Sequence, residues 1–184
     1  LKITIMSSTK VITGKVRFSY VHVFEPTSIE EVGTKKYSVA ILIPKKDKKT
    51  LAAITAAIAA AAEEGKTSKF GGKIPPTLKK PLRDGDDEKP DDANYKGMMF
   101  LNASSLNRPG VVDQDLDPIM NKDEFYSGCF GRASLNFYAF SVSGNKGIAA
   151  GLNNLMKLEE GENLGGGASS AADDFGESND DDLI

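Results

Sequence analysis

The 184-residue sequence has one cysteine, Cys129, and one histidine, His22. A single thiol excludes an intrachain disulfide and suits a reducing compartment. The Asn102-Ala103-Ser104 sequon is therefore not read as a glycosylation site. One histidine with no Cys or second His nearby excludes zinc spacing, and His22 reads as a partly buried strand residue. A Cys129–His22 nucleophile pair has no support beyond the presence of both residues. No run approaches the roughly 18 consecutive apolar residues of a membrane span, so no membrane partner is expected. The opening LKITIMSSTK lacks the length and cleavage site of a signal peptide. Met6 is a candidate start, and residues 1–10 read as an N-terminal extension. A full G-x-x-x-x-G-K-[ST] phosphate-binding loop and a G-x-S-x-G elbow are both missing. No catalytic residue and no cofactor is assigned.

Two acidic groupings invite a metal and fail on detail. Asp113, Asp115, Asp117, Ile119, Asn121 and Glu124 stand at positions 1, 3, 5, 7, 9 and 12 of an EF-hand loop. Pro118 occupies the position that needs glycine for the sharp turn, and a proline ring cannot supply that geometry. Asp84, Asp86, Asp87, Glu88, Asp91 and Asp92 follow one another in one loop with no partner geometry for two-metal chemistry. A metal-dependent nuclease stays only as the less favoured alternative.

The net charge of −3 conceals a segregation. Residues 159–184 hold nine acids and no Lys or Arg, a tail of −9. All 23 basic residues lie in 1–158 with the other 17 acids, a body of +6. A basic body with an acidic tail points to a polyanionic partner and a tail that competes for the same surface.

Residues 11–24 and 35–43 are rich in β-branched and aromatic residues and end at Pro26 and Pro44; both read as strands. Residues 47–64, DKKTLAAITAAIAAAAEE, read as one long Ala-rich helix capped by Asp47 or Thr50 and stopped at Gly65. Leu51, Ile54 and Ile58 form a narrow apolar stripe that could cover a barrel end. A dimer contact through the Ala face is an open alternative to core packing. Residues 66–96 are broken by Pro75, Pro76, Pro81 and Pro90 and read as a long irregular segment. Its first part holds six basic residues and no acid, a candidate arm over a phosphate backbone; a solvated loop is the plainer reading. Strands return at 97–104, 126–140 and near 148–158, the last two joined by a turn at 143–147.

In YSGCFGRASLNFYAF (126–140), period two puts Cys129, Gly131, Ala133, Leu135, Phe137 and Ala139 on one face. Phe130, Arg132, Ser134, Asn136, Tyr138 and Phe140 share the other. Aromatics beside positive charge suit unpaired bases, which stack at roughly 1–3 kcal/mol each. A strand buried on both faces fits this window equally. Phe100, Asn102 and Ser104 repeat the pattern. Without a helix-turn-helix or zinc finger, single strands fit better than sequence-specific duplex reading.

The strings VRFSYVHVFEP (16–26), KYSVAILIPK (36–45), GGKIPPTLKKPLRDGDDEKPDD (71–92), FLNASS (100–105) and YSGCFGRASLNFYAF with NKGIAAGLNNLMKL (126–158) resemble a bacteriophage single-stranded-DNA-binding family. The resemblance covers nearly all of 11–158. It implies a mainly β fold, an OB-like barrel of about five strands, that coats single-stranded DNA in phage replication and recombination in the host cytoplasm, without catalysis. The usual OB order puts the helix between the third and fourth strands, whereas here it follows the second. Residues 159–184 read as a Gly/Ala/Ser linker and a disordered acidic tail. Its end, Asp180-Asp181-Asp182-Leu183-Ile184, is similar to the acidic tips by which bacterial single-strand-binding proteins recruit replication and repair partners, with Leu-Ile in place of Pro-Phe.

From alternation and charge, Phe100, Phe130 and Tyr138 are expected to stack bases. Arg17, Arg108 and Arg132 meet phosphates or stack, and Asn102 and Asn136 donate hydrogen bonds. Lys73, Lys79, Lys80 and Arg83 close over the strand, and Tyr20 and Lys36 join the same surface. A protein-interaction module without direct DNA binding is the alternative reading, and a homo-oligomer is left open.

Overall fold

A computed structural model describes residues 8–28 and 33–165. The apolar alternation of the sequence builds long strands: β1 (Lys10–Ile12), β2 (Val16–Thr27), β3 (Lys36–Pro44), β4 (Arg83–Asp84), β5 (Met98–Ser105), β6 (Gly110–Val112), β7 (Phe130–Val142) and β8 (Asn145–Glu159). β7 pairs with both β2 and β8, so the path β7–β2–β3–β5–β8 returns to its start. Five strands thus close an OB-like barrel, with β5–β8 as its parallel pairing. Closure removes the exposed edges that an open sheet would carry.

β1 runs along β7 where β2 leaves it, with Lys10 opposite Asn136, so β1 and β2 act as one strand broken at residues 13–15. Thr13 holds the break: its backbone N–H donates to the Ala133 carbonyl, and its hydroxyl oxygen accepts from the Ala133 N–H, both at 3.0 Å. Inward residues from all five strands form one core that includes Phe18, Val39, Ile41, Leu101, Leu135, Phe137 and Leu152. A register shift after Ser134 skips Asn153 and moves the inward phase of β8 from Leu152 to Leu155.

Helix α1 (Lys48–Ser68) follows the second barrel strand, which makes the barrel a variant of the usual OB connectivity. Asp47 caps its start by accepting from the Thr50 N–H at 3.1 Å. Ile54, Ala57, Ile58, Ala61, Ala62 and Gly65 are buried at helical spacing, and the helix lies chiefly against β7. The buried alanines are thus covered by the barrel. Gly65 does not stop the helix, as the sequence suggested. It lies inside it, where a Cβ would come within 2.2 Å of the Ala139 Cβ. Its role is close approach to β7. The stop comes later, where Gly71 and Gly72 adopt φ of 68° and 94° and the Gly72 N–H donates to Lys66 O.

The segment after α1 is docked rather than structureless. Phe70 is buried, and Ile74, Leu78 and Leu82 pack on the core. Lys79 bridges to the start of β8: its N–H donates to Lys146 O, and its carbonyl accepts from the Ile148 N–H. Next come β4, the short helix α2 (Gly85–Glu88) and a 3-10 turn (Ala93–Tyr95). They build a small second core of Ala40, Leu42, Tyr95 and Phe100 on the outside of β3 and β5. Lys45 fastens this cover by bonding Asp84 and Asp86 at 2.8 and 2.7 Å. Those bonds hold both carboxyls below their ordinary range and the ammonium above its own.

Ordered contacts continue past residue 158. Residues 160–165 form a strap along Tyr126, Ser127 and Gly128, with the Leu164 N–H donating to Ser127 O and the Tyr126 hydroxyl donating to Gly161 O. A Cβ on Gly128 would strike the strap at Glu162 O. The first seven residues and the tail from 166 onward, including Asp180, Asp181, Asp182, Leu183 and Ile184, lie outside the described residues.

Candidate nucleic-acid interface

The outer faces of β3 and β5 change character along their length. Leu42 opposite Phe100 is covered by the second core, which Ala40 still joins, whereas Asn102 opposite Ala40 and the Ser38–Ser104 pair beyond it lead into the open. A cleft of about 700 Å³ opens there, lined by Tyr20, Lys36, Ser38, Asn102 and Ser104. A second, of about 350 Å³, is lined by Lys36, Ser104, Asn136, Tyr138 and Gly151. They share Lys36 and Ser104, so one groove runs from Tyr20 across β3, β5 and β8 to Tyr138 on β7. This is the second- and third-strand surface that OB folds use for oligonucleotides.

Both end rings stand open: Tyr20 is 60% exposed and Tyr138 is 42% exposed. Tyr138 lies beside Gly151, whose missing side chain leaves the floor low; a Cβ there would touch the Tyr138 ring at 3.6 Å. Asn136 is held by the Thr9 hydroxyl, which donates to its Oδ1 at 3.0 Å and leaves the amide N–H groups for a ligand. Tyr20 sits at φ 47° in a register shift between Ser19 and His22. A left-handed aromatic residue is an outlier that its surroundings must impose. His22 is exposed, not partly buried as its sequence context suggested.

The other expected residues divide. Phe100 faces outward as alternation required, but it is 2% exposed, edge-on to Tyr95 at 5.0 Å and beneath the Arg83 guanidinium. It is closed to a base, because residues 83–98 cover it. Arg83 also bonds Glu88 at 2.6 Å and is not a free closing cation. Arg17 is committed three ways, donating to Gly128 O and Glu162 O at 3.1 Å and to Asn94 Oδ1 at 3.4 Å. Phe130 is half-buried between Lys15 and Arg17 and lies against Gly161 of the strap. It stands eight positions from Tyr138 on β7, roughly 26 Å at 3.3 Å per residue, and lines neither cleft of the groove. Arg132 is exposed, with Nε donating to Thr13 O at 2.8 Å. Arg108 is exposed over Phe24. Lys73 and Lys80 are exposed, and Lys79 donates to Asn145 Oδ1 at 3.1 Å beside the β7–β8 turn.

Sequence reasoning missed Ser38, Ser104 as a groove wall and Gly151. Ser38 at the polar start of β3 and the Asn102/Ser104 alternation on β5 were the available signals for the first two. Burial pushes the Cys129 thiol above its ordinary value, which makes it a poor nucleophile. The Asp113, Asp115 and Asp117 carboxylates converge. Asp113 Oδ1 is already used in fastening its own loop, accepting from the Asp115 and Asp117 N–H groups at 2.8 and 3.0 Å.

The comparisons with known proteins bear on the family and the fold. The chain is similar to a single-stranded DNA-binding protein from bacteriophage Enc34, solved in complex with ssDNA, with a TM-score of 0.76 and 26% identity over 85% of this chain and 90% of that one. It shares the fold, at 14% identity and a TM-score of 0.59, with gp2.5, a single-stranded DNA binding protein encoded by bacteriophage T7, covering 90% of this chain and 99% of that one. A curated relative, putative protein p50 of Acyrthosiphon pisum secondary endosymbiont phage 1, is 32% identical over 172 residues, 90% of this chain and 92% of its own length. The sequence profile described as "Enterobacter phage Enc34, ssDNA-binding protein" matches residues 9–184. The chain belongs to that phage ssDNA-binding protein family.

Proposed function

We propose that this protein coats single-stranded DNA without sequence-specific duplex reading and without catalysis, serving phage replication and recombination in the host cytoplasm. The observation that carries it is the groove with an exposed ring at each end, Tyr20 and Tyr138, and amides and hydroxyls between them. Bases stack on the rings, Asn102 and Asn136 donate to base edges or sugar, and Lys36 meets the backbone. Lys73, Lys79, Lys80, Arg108 and Arg132 extend the positive field around this path. The acidic tail competes with DNA and recruits replication proteins through Asp180, Asp181, Asp182, Leu183 and Ile184.

Titrating a labelled oligo-dT at several salt concentrations tests the reading. For Z neutralised phosphates, log K falls with log salt at roughly −0.7Z. No binding at low salt would favour the interaction-module alternative, and degradation of the strand with Mg²⁺ would favour a nuclease. The tail is tested by truncation after Gly165, which keeps the strap; higher affinity at low salt supports competition, and unchanged affinity refutes it.

A further inference from the structure

Tyr20 has a second side. Besides the groove, it lines a cleft of about 430 Å³ walled by His22, Asp92, Asn94, Ser127 and Leu164. Tyr20 lines both spaces, so a nucleotide leaving the stack at that end of the groove meets this cleft next. The volume falls in the range of small-ligand sites.

The polar groups here are arranged, not merely present. The Asn94 N–H holds one Asp92 carboxylate oxygen, Oδ1, at 3.0 Å and leaves Oδ2 and the second lone pair of Oδ1 as acceptors. The Arg17 guanidinium donates to Asn94 Oδ1, which orients the amide and leaves its N–H groups as donors. The Ser127 oxygen accepts from the Val21 N–H at 3.1 Å, so its own O–H is a further donor. A carboxylate lining the cleft opposes phosphate, so the guest is a group that gives hydrogen bonds. The strained φ of Tyr20 is the independent sign of function, because an aromatic residue is held left-handed where the two spaces meet.

We propose that this cleft holds one unstacked guanine base of the bound strand, read by Asp92 and Asn94, and so gives an otherwise tolerant groove a base preference. Guanine offers N1–H and an N2 amino group side by side to a carboxylate, with O6 next to them for an amide donor. Adenine N1 and cytosine N3 would turn a lone pair toward Asp92. Thymine has one N–H flanked by two carbonyls and loses the paired contact. A single strand gives up such a base at small cost, since there is no partner to unpair. The inference rests on the coat-protein reading but makes a separate claim.

The test uses the full chain and competition against a labelled oligo-dT by unlabelled oligo-dT carrying one central dG, dA, dC or inosine. The dG strand is expected to compete about tenfold better than plain oligo-dT, a typical effect of a charge-assisted pair. Inosine, which lacks the N2 amino group, falls between. Asp92→Asn keeps the cap on the Asn94 N–H, and Asn94→Ala removes the amide. Each should bring dG down to the oligo-dT level while plain oligo-dT binding is retained. Equal competition by dG and dA in the native chain, or a dG preference that survives both variants, overturns the proposal while the coat-protein reading stands. Failure of the labelled oligo-dT to bind at all overturns both.

Discussion

Tyr20 carries opposing demands at one backbone position. A left-handed φ of 47° costs an L-residue roughly 1–2 kcal/mol, and glycine would not bear that cost. Tyr20→Gly is therefore expected to raise the melting temperature by a few degrees while weakening oligo-dT binding. A variant that binds as well as the native chain would remove this ring from the interface. Tyr138 and Phe100 form a matched contrast. Tyr138→Ala should weaken binding by roughly 1–3 kcal/mol with the salt slope unchanged, because stacking releases no counterions. Phe100→Ala should cost roughly 3–5 kcal/mol of fold stability in a denaturant titration, because the ring is sealed between Tyr95 and Leu42. Alternation placed Phe100, Asn102, Asn136 and Tyr138 on outward faces, and they are there. It could not say that Phe100 is roofed over, because the roof comes from Tyr95, close in number but folded back by the Lys96–Gly97 turn in a direction that alternation does not show. Nor does sequence show a backbone angle such as that of Tyr20, where a glycine would have been the visible cue.

Among the elements, α1 and the cover over Phe100 make the clearest demands. Gly65→Ala improves helix propensity by about 1 kcal/mol, yet its methyl would collide with Ala139. Net loss of thermal stability is expected, and a gain would mean that α1 sits less tightly on β7 than described. The helix itself was plain from its alanines and its Asp47 cap. Its length was not, because Gly65 looks like a stop until the facing β7 surface is known. The Lys45 clasp predicts a pH effect of definite sign. Asp84 and Asp86 titrate below their ordinary values in the folded chain, so their contribution is present above that range and fades as pH falls through the depressed values. The Gly97 N–H donates to Asp86, so its hydrogen exchange should lose protection under acid, and Lys45→Met should show the loss already at neutral pH. Protection that is indifferent to both would mean that the clasp does not hold the cover.

At the scale of the molecule, charge and topology act together. Lys36 is the cation that lines both clefts of the groove, so Lys36→Ala should flatten the salt slope by about 0.7, one phosphate's worth, in the oligo-dT titration. The separation of a basic body from an acidic tail was legible directly, since it needs only counting. The strap was not. Residues 160–165 look like the start of a linker, and only the bare backbone of Gly128 and Gly161 lets them lie against the barrel. Their contacts with Arg17 and Tyr126 mean that a cut after Leu158 would remove structure together with charge. The closing strand β7 has a further consequence, for the order of events during synthesis. It touches β1, β2, β8 and α1, yet 129 of the 184 residues stand before it in the sequence and emerge from the ribosome first. Until then β2 and β3 have no ring to complete and the helix has no seat. Pairings so distant in sequence form slowly. The nascent protein must keep its uncovered apolar faces from aggregating until the final hairpin arrives, and a ribosome stalled between residues 113 and 129 would release a chain that has six of the eight described strands and no barrel.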